Sequence, residues 1–287
     1  MPHTPAADPF RLAPVLVVGA TGTTGSRVVS RLAALGQDVR AASRRAPDQA
    51  GARPVHFDWY DPETFTDALR GVDRMYLVPP VGAMDPAAVM APFLERAVSE
   101  GVRRAVLLSS SAVPRGGPGL GLVHSAVAEA FGEWAVLRPS WFMQNLTGDH
   151  LHGTSIREEG VIVTATGRGR VGFVDADDIA AVAAEVLTRA EPPCTDLVLT
   201  GPEALGYDDV AAVVARYAGR PVRHRPVGYE AMRDRLATVM PAEYAAVLAR
   251  LDLAIAGGAE DRTTSTVEEV TGRPPRSLAA FAAAQTW

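Results

Sequence analysis

Short apolar runs alternate with amphipathic stretches over the first 200 residues. The stretches have apolar residues three and four positions apart, as on one face of a helix. They predict helices at Thr23–Leu35, Asp61–Leu69, Pro86–Gly101 and Leu122–Phe131. The runs predict strands at Pro14–Val18, Val39–Ser43, Val55–Phe57, Asp73–Val78, Arg104–Leu108 and Trp134–Arg138. Strands that are apolar on both faces and alternate with helices predict an α/β fold with a doubly wound parallel sheet.

This alternation ends after Pro139. Residues 140–176 predict loops with short strands at Val161–Val163 and Val171–Val174. A helix at Asp177–Leu187 and a strand at Asp196–Thr200 return to the sheet, and from Tyr207 the chain is mostly helical, with a strand near Val222. We therefore expect a loose tail at 1–13, a nucleotide-binding domain at 14–139 plus about 177–200, and a small, mainly helical substrate domain at 140–176 plus 201–287.

Composition excludes several classes of protein. Hydrophobic residues make up 47% and charged residues 21%, a balance typical of soluble globular proteins. The net charge of −5 argues against a nucleic-acid-binding surface. The chain has no apolar run long enough for a membrane span, and its first ten residues lack the apolar core of a signal peptide. We expect a cytoplasmic monomer or homodimer that acts on a small molecule, with no membrane or nucleic-acid partner.

The basic residues are all arginine: the 28 Lys+Arg positions contain no lysine. This excludes a P-loop lysine, a Schiff-base lysine and the Tyr-x-x-x-Lys pair of ordinary short-chain dehydrogenases. The single cysteine, Cys194, excludes an internal disulfide and a cysteine-clustered metal site. Two histidines two positions apart, His150 and His152, are weak evidence for a metal, and we expect none.

The strongest motif is a glycine-rich turn between the first strand and the first helix. Its glycines, Gly19, Gly22 and Gly25, are three positions apart. This context favours a dinucleotide site, with the pyrophosphate at the helix N-terminus. The alternative is a glycine-rich turn that binds nothing. The residues assigned to the cofactor here are Gly19, Thr21, Gly22, Thr23, Thr24 and Gly25.

The ends of the next strands indicate which dinucleotide binds. Ser43-Arg44-Arg45 stands where an NAD enzyme has a carboxylate, and a guanidinium pairs with a 2′-phosphate. We therefore expect NADP(H) in preference to NAD(H), with Ser43 and Arg44 in the site; the alternative is two solvated arginines. Asp58 either accepts from the adenine amino group or caps the next segment. The segment Val78-Pro79-Pro80 either packs beside the adenosine or only ends its strand.

Several motifs together resemble a known family. They are Gly19-x-x-Gly22-x-x-Gly25, the Ser-Arg pair after strand two, Leu107-Leu108-Ser109-Ser110, Leu137-Arg138-Pro139-x-Trp141-Phe142-Met143-x-Asn145 and Phe173-Val174-Asp175-x-x-Asp178. The set resembles the NmrA-like branch of atypical short-chain dehydrogenases, and Gly116–Pro118 with Gly121–His124 is similar to its festuclavine dehydrogenase subgroup, which reduces ergot-alkaloid iminium ions. The resemblance implies an extended Rossmann domain, NADP(H) and a substrate cleft beneath a small C-terminal domain.

The catalytic residues of ordinary short-chain dehydrogenases are only partly present. They have a serine after strand five, then a tyrosine, and a lysine four residues later. This chain has the serines Ser109, Ser110 and Ser111, but His124 where the tyrosine belongs and Ala128 four residues on. We predict His124 as proton donor together with Ser110, and Ser109 beside the nicotinamide. The alternatives are a structural histidine and serines that cap the backbone.

The segment after strand six supplies the remaining candidates. Ligands of open α/β sheets lie beyond the carboxyl ends of the strands, so Pro139 and Ser140 should pass near the nicotinamide. Side chains that could enclose a flat substrate, or else pack the second domain, are Trp141, Phe142, Met143 and Asn145. Arg138 is expected to pair with a carboxylate, and Asp175, Asp177 and Asp178 to cap a helix.

Three functions fit these observations. The leading one is an NADPH-dependent reductase of a conjugated acceptor (an iminium ion, a quinone or an enone-like compound) of the kind met in secondary metabolism, because such acceptors depend least on the missing tyrosine–lysine pair. The second is a non-catalytic NADP-sensing regulator, since the family includes NmrA itself. The third is a redox-neutral cyclase or isomerase that uses His124.

Overall fold

The central sheet of the computed structural model, which describes residues 13–287, has seven parallel strands in the order β3-β2-β1-β4-β5-β6-β9. The strands of that part of the chain are β1 Val15–Val18, β2 Val39–Ser43, β3 Arg53–His56, β4 Arg74–Leu77, β5 Arg104–Leu108, β6 Glu133–Pro139, β7 Val161–Thr164, β8 Arg170–Val171, β9 Thr195–Leu199, β10 Leu205–Gly206 and β11 Arg223–Pro226. Adjacent strands of this sheet pair residue by residue, for example Val18 with Ala42 and Leu77 with Leu107. The carboxyl ends of these strands therefore meet at one edge.

Helices cover both faces of this sheet. Those of the described residues are α1 Gly25–Ala34, α2 Glu63–Leu69, α3 Pro86–Ser99, α4 Leu120–Ala130, α5 Leu151–Glu159, α6 Ala176–Thr188, α7 Tyr207–Ala218, α8 Tyr229–Leu236, α9 Ala242–Ala256, α10 Thr266–Thr271 and α11 Leu278–Ala283. Successive residues of a strand point to opposite faces. Val15 and Val17 accordingly pack with α1 and α6, whereas Leu16 and Val18 pack with α2, α3 and α4. The predicted doubly wound parallel sheet is confirmed.

The prediction for residues 140–176 was wrong in one respect, because this segment contains α5 and a 3-10 turn at Met143–Leu146. The buried side of α5 consists of Gly153, Ser155 and Ile156, so the helix has almost no apolar periodicity to detect. A Cβ on Gly153 would lie 2.4 Å from the carbonyl oxygen of Thr147, which is why a glycine stands there. The strand expected at Val171–Val174 is shorter, at Arg170–Val171.

The chain beyond β6 builds two further apolar clusters. One contains Met143, Ile162 and Phe173, and the other lies around Ala249 between α8 and α9. The predicted capping of α6 is confirmed for Asp175, which accepts from the Asp177 N–H at 3.0 Å. It was wrong for Asp177 and Asp178, which lie within the first turn of the helix. The predicted tail at 1–13 falls almost wholly outside the described residues, and the division into two domains stays a prediction. None of the helices in 13–287 is long and apolar enough to cross a membrane.

Candidate functional site

The glycine-rich turn is closely packed where its first and last glycines stand. Gly19 has a φ of +77°, and its N–H and that of Ala20 donate to the Ala42 carbonyl at 3.0 and 3.1 Å. A Cβ on Gly25 would lie 2.1 Å from the Gly19 carbonyl oxygen, and one on Gly19 would lie 2.9 Å from the Val78 Cβ. Side chains at these two positions would force β1 away from α1 and from the end of β4.

Unpaired backbone donors line the outer side of this turn. The N–H groups of Thr21, Thr23 and Thr24 donate to no acceptor within residues 13–287. Thr21, Gly22 and Thr23 are exposed. Free N–H groups before a helix attract an anion, helped by the helix dipole. The turn therefore fits the pyrophosphate of a dinucleotide.

The end of β2 places two cations beside the turn. Arg44 and Arg45 are exposed, and in the described part of the chain neither guanidinium has a hydrogen-bond or ion-pair partner. Their backbone is fixed, because the Ser43 Oγ accepts from the Ala46 N–H at 3.0 Å and the His56 Nδ1 lies 3.0 Å from the Arg44 carbonyl oxygen. Two unpaired guanidinium groups are thus available to an anionic ligand.

Two side chains that the sequence did not single out brace this end of the site. Gln49 Nε2 donates to the Ala20 carbonyl at 3.0 Å, which ties the β2–β3 loop to the glycine turn. Trp59 Nε1 donates to the Val78 carbonyl at 3.2 Å. Asp58 Oδ1 accepts from the Tyr60 N–H at 3.0 Å, so this carboxylate caps the following segment. The sequence carried no signal for Gln49 or Trp59, because each acts through a contact distant along the chain.

A second group of predicted residues meets at the ends of β5 and β6. The Ser109 N–H donates to the Leu137 carbonyl at 2.7 Å, and the Ser140 N–H donates to the Leu199 carbonyl at 2.9 Å. Ser109 is 8% exposed and Ser140 is 4% exposed, and neither hydroxyl has a hydrogen-bond partner within the described part of the chain. A buried hydroxyl without a partner costs free energy unless a ligand or water satisfies it. The two serines thus lie together at the carboxyl edge of the sheet, and their contact with the nicotinamide stays a prediction.

His124 lies in the second turn of α4 and is only 1% exposed. Neither ring nitrogen has a hydrogen-bond partner among residues 13–287, and the ring centroid lies 5.9 Å from that of Trp134. Burial lowers the pKa of His124, so the neutral form is favoured. Ser110 Oγ accepts from the Ala112 N–H at 3.3 Å and does not bond the histidine. The catalytic roles of His124 and Ser110 stay predictions.

The segment after β6 runs along the same edge. Trp141 and Phe142 are half-buried, whereas Met143 is buried among apolar side chains. The Val174 N–H donates to the Trp141 carbonyl at 2.9 Å, and the Asn145 N–H donates to the Phe142 carbonyl at 3.1 Å. These bonds fix the two aromatic residues in position next to Ser140. The site thus has a short aromatic stretch beside its serines.

Arg138 has the structural role that its sequence context predicted. Its NH1 lies 2.6 Å from Asp196 Oδ2, and its other nitrogens donate to the carbonyls of Ser110 and Ser111. The weak histidine motif caps α5, because His150 Nδ1 accepts from the His152 N–H at 3.2 Å. Burial lowers the pKa of His152 to about 3.

Glu260 is a residue of this edge that sequence reasoning missed. It is 3% exposed, and its Oε2 accepts from the Ser111 hydroxyl at 2.6 Å. Arg262 NH2 lies 3.3 Å from its other oxygen. These residues stand about 150 positions after Ser111, so no spacing in the sequence connects them.

A parallel doubly wound sheet with unpaired N–H donors at its first turn, within the described residues, defines a dinucleotide-binding α/β protein. Residues 19–190 match a family model described as NAD(P)H-binding. The chain belongs to this NAD(P)H-binding family, and the resemblance to the NmrA-like branch is confirmed.

Similar proteins agree with this assignment. An uncharacterized oxidoreductase of Bacillus subtilis, YesF, is 48% identical over 272 residues, which cover 94% of each chain. Festuclavine synthase I of Penicillium roqueforti is 34% identical over 279 residues, covering 93% of this chain and 96% of that one. The structure of the Escherichia coli NADPH-dependent quinone oxidoreductase, solved with NADPH, has a TM-score of 0.79 at 23% identity and covers 93% of this chain and 98% of that chain. The chain is an NAD(P)H-dependent oxidoreductase.

Proposed function

We propose that this oxidoreductase uses NADPH to reduce a conjugated small-molecule acceptor. The observation that carries the cofactor preference is the pair of unpaired guanidinium groups, Arg44 and Arg45, beside the unpaired N–H groups of the glycine turn. A 2′-phosphate forms charge-assisted hydrogen bonds with such a guanidinium, and no group among residues 13–287 competes for it. A carboxylate at this point would select NAD(H) instead.

The cofactor would be held at two places. Thr21, Thr23 and Thr24 would donate their N–H groups to the pyrophosphate, and the hydroxyls of Ser109 and Ser140 would bond the nicotinamide half. When bound, NADPH supplies a hydride for transfer to the acceptor. The remaining cofactor contacts that we propose are Gly19, Gly22, Gly25, Ser43, Arg44, Asp58, Val78, Pro79, Pro80 and Pro139.

The acceptor class follows from what the site has and lacks. The chain has no lysine, and α4 carries His124, a buried neutral imidazole, in place of a tyrosine. Iminium ions, which take a hydride and no proton, and quinones, which depend less on a strong acid than simple ketones do, suit this arrangement better than simple ketones. Trp141 and Phe142 offer flat apolar surface to such a compound. The relation to festuclavine synthase I and the fold shared with a quinone oxidoreductase agree with this class.

The substrate would lie between the edge of the sheet and the chain that follows β6. We propose that residues 140–176 and 201–287 form the substrate domain over this edge. Trp141, Phe142, Met143 and Asn145 belong to that part of the chain. Met143 would act indirectly, by supporting its half-buried neighbours from within the apolar cluster.

The test combines binding with turnover. Calorimetry should show tighter binding of NADPH than of NADH, and Arg44→Ala should weaken NADPH about 10- to 100-fold, since a hydrogen bond to a charged group is worth about 1.5–3 kcal/mol. Arg168→Ala, which removes another exposed arginine, is the matched control. NADPH absorbance should decay with a quaternary dihydroisoquinolinium or a benzoquinone. Equal losses for both nucleotides would refute the phosphate assignment, and tight binding without decay would refute the reductase.

A further inference from the structure

Reduction of a quinone consumes a proton as well as a hydride, and the residues predicted to supply it are poorly placed. His124 has both ring nitrogens enclosed, without a partner that could deliver a proton. The burial that lowers its pKa also disfavours the charged, proton-donating form. The edge of β5 therefore needs another acid if the acceptor is one that takes up a proton.

Ser111 and Glu260 form a buried pair at this edge. Both are 3% exposed, and the hydroxyl oxygen of Ser111 lies 2.6 Å from Glu260 Oε2. The Ser111 N–H donates to the Pro139 carbonyl at 2.9 Å, which places the serine beside the predicted nicotinamide-binding residues. The Ser111 carbonyl accepts from Arg138 NH2 at 2.9 Å and from Arg262 NH2 at 3.3 Å. The serine is thus held on several sides.

The segment that carries Glu260 is fixed against the same edge. The Thr264 N–H donates to Thr200 Oγ1 at 2.8 Å, and its hydroxyl donates to the Val198 carbonyl at 2.8 Å. A Cβ on Gly172 would lie 2.7 Å from the Arg262 carbonyl oxygen. The residues that follow Glu260 therefore fix its segment near the end of β9.

We propose that Glu260, acting through Ser111, supplies the proton for acceptors that require one. This inference rests on the proposed reductase function. Such an acceptor gains one hydride, which comes from the cofactor, and one proton, which comes from the Ser111 hydroxyl. Ser111 Oγ in turn takes the proton of Glu260 Oε2, and the carboxylate left behind regains a proton from water on the side of Arg262, whose side chain is 43% exposed. An iminium cation takes only the hydride and gives a neutral amine.

The two oxygens of Glu260 have different neighbours, which suits this role. Oε1 faces the Arg262 guanidinium in either protonation state, whereas Oε2 faces Ser111. When Glu260 is ionised, the Ser111 hydroxyl donates to it and has no proton to pass on. When Glu260 is protonated, Oε2 donates to Ser111 and turns the serine hydroxyl toward the acceptor. The charged groups facing this pair are Arg262, on the same segment, and Arg138, which is neutralised by Asp196.

The test compares two acceptors and three variants. In the wild type, both a 1,4-benzoquinone and a quaternary dihydroisoquinolinium should be reduced. Glu260→Gln keeps the shape and hydrogen bonds of the side chain but has no acidic proton. It should slow quinone reduction about 100-fold, as expected for general acid catalysis, and leave reduction of the dihydroisoquinolinium unchanged. Ser111→Ala should do the same, whereas Glu243→Gln, at an exposed position, should change neither rate.

Retained iminium reduction shows that each variant is folded and binds NADPH. Equal losses with both acceptors, an unchanged rate of quinone reduction in Glu260→Gln, or a wild type that reduces only the cation would each overturn the inference. A wild type that reduces neither acceptor refutes the proposed function itself. In that case infrared spectra of the cofactor-free protein still decide the proton-holding role. A buried carboxylic-acid band should be lost in Glu260→Gln, shifted in Ser111→Ala and retained in Glu243→Gln, and its absence from the wild type would overturn the inference.

Discussion

Replacing Gly25 with alanine tests the packing on which the cofactor site depends. The new Cβ would lie 2.1 Å from the Gly19 carbonyl oxygen and 2.7 Å from its carbon. Non-bonded contacts to carbon are normally about 3.5 Å, so the turn and the start of α1 must separate by about 1 Å or more. Both partners are backbone, which cannot rotate away. We expect a loss near the upper end of the usual overpacking cost, about 3 kcal/mol.

Thermal unfolding measures this loss directly. At about 2–4 °C per kcal/mol for a chain of this size, the melting temperature should fall by roughly 6–12 °C. NADPH binding should weaken in parallel, because the same shift displaces the N–H groups of Thr21 and Thr23. Gly132→Ala is the control, since a Cβ there meets nothing within 4 Å and should change stability by about 1 kcal/mol at most. A Gly25→Ala protein that has the same melting temperature as this control and binds NADPH normally would refute the packing argument.

Three other changes have outcomes set by the structure. Ser140→Ala removes a hydroxyl that has no partner in the described residues, so calorimetry should show NADPH binding about 2- to 10-fold weaker, with no loss of melting temperature. Burial raises the pKa of Asp252 to about 6, above its unfolded value, so its protonation stabilises the fold at low pH and this contribution is lost as the pH rises through 6. Asp252→Asn should then raise the free energy of unfolding in urea by about 2–3 kcal/mol at pH 8 and hardly change it at pH 4. Arg104→Met leaves Glu133 and the Arg189 carbonyl without their contacts at 2.7 and 2.6 Å, and it should cost about 3–5 kcal/mol in the same assay.

The parts of the fold that local pattern determines were predictable. The strands Val39–Ser43 and Arg104–Leu108 have the bounds expected from their apolar runs, because a buried parallel strand needs apolar residues on both faces. The helix at Leu151–Glu159 was not predictable in this way. Its buried face is made of glycine, serine and one isoleucine, and its ends depend on His150 and Gly160. Where small and polar residues form the contact, hydrophobic periodicity carries no information.

The candidate site likewise has one part that the sequence predicted and one part that depends on contacts distant along the chain. Its first half consists of the glycine turn, which follows β1, and of Ser43 and Arg44 at the end of β2. These two strands are neighbours in the sheet, so their pairing alone brings these residues together. The groups that hold this half in place, such as Gln49 and Trp59, make contacts that composition and spacing do not encode. Near the ends of β5 and β6 the sequence named the serines correctly as edge residues. It did not show that Glu260 reaches Ser111, because that contact depends on how the C-terminal segment packs.

The absence of lysine connects these observations. A lysine beside the active site lowers the pKa of a neighbouring tyrosine as a mobile point charge, whereas a guanidinium stays charged and is most useful as a fixed, multivalent donor. In this chain Arg104, Arg138 and Arg276 all use that property, bonding carboxylates and carbonyls that join the sheet to later segments. Arginine can thus replace lysine in holding the sheet to the segments around it, but not in tuning an acid. We propose that a carboxyl group fills that role at the site, through the Glu260–Ser111 pair, for acceptors that require a proton.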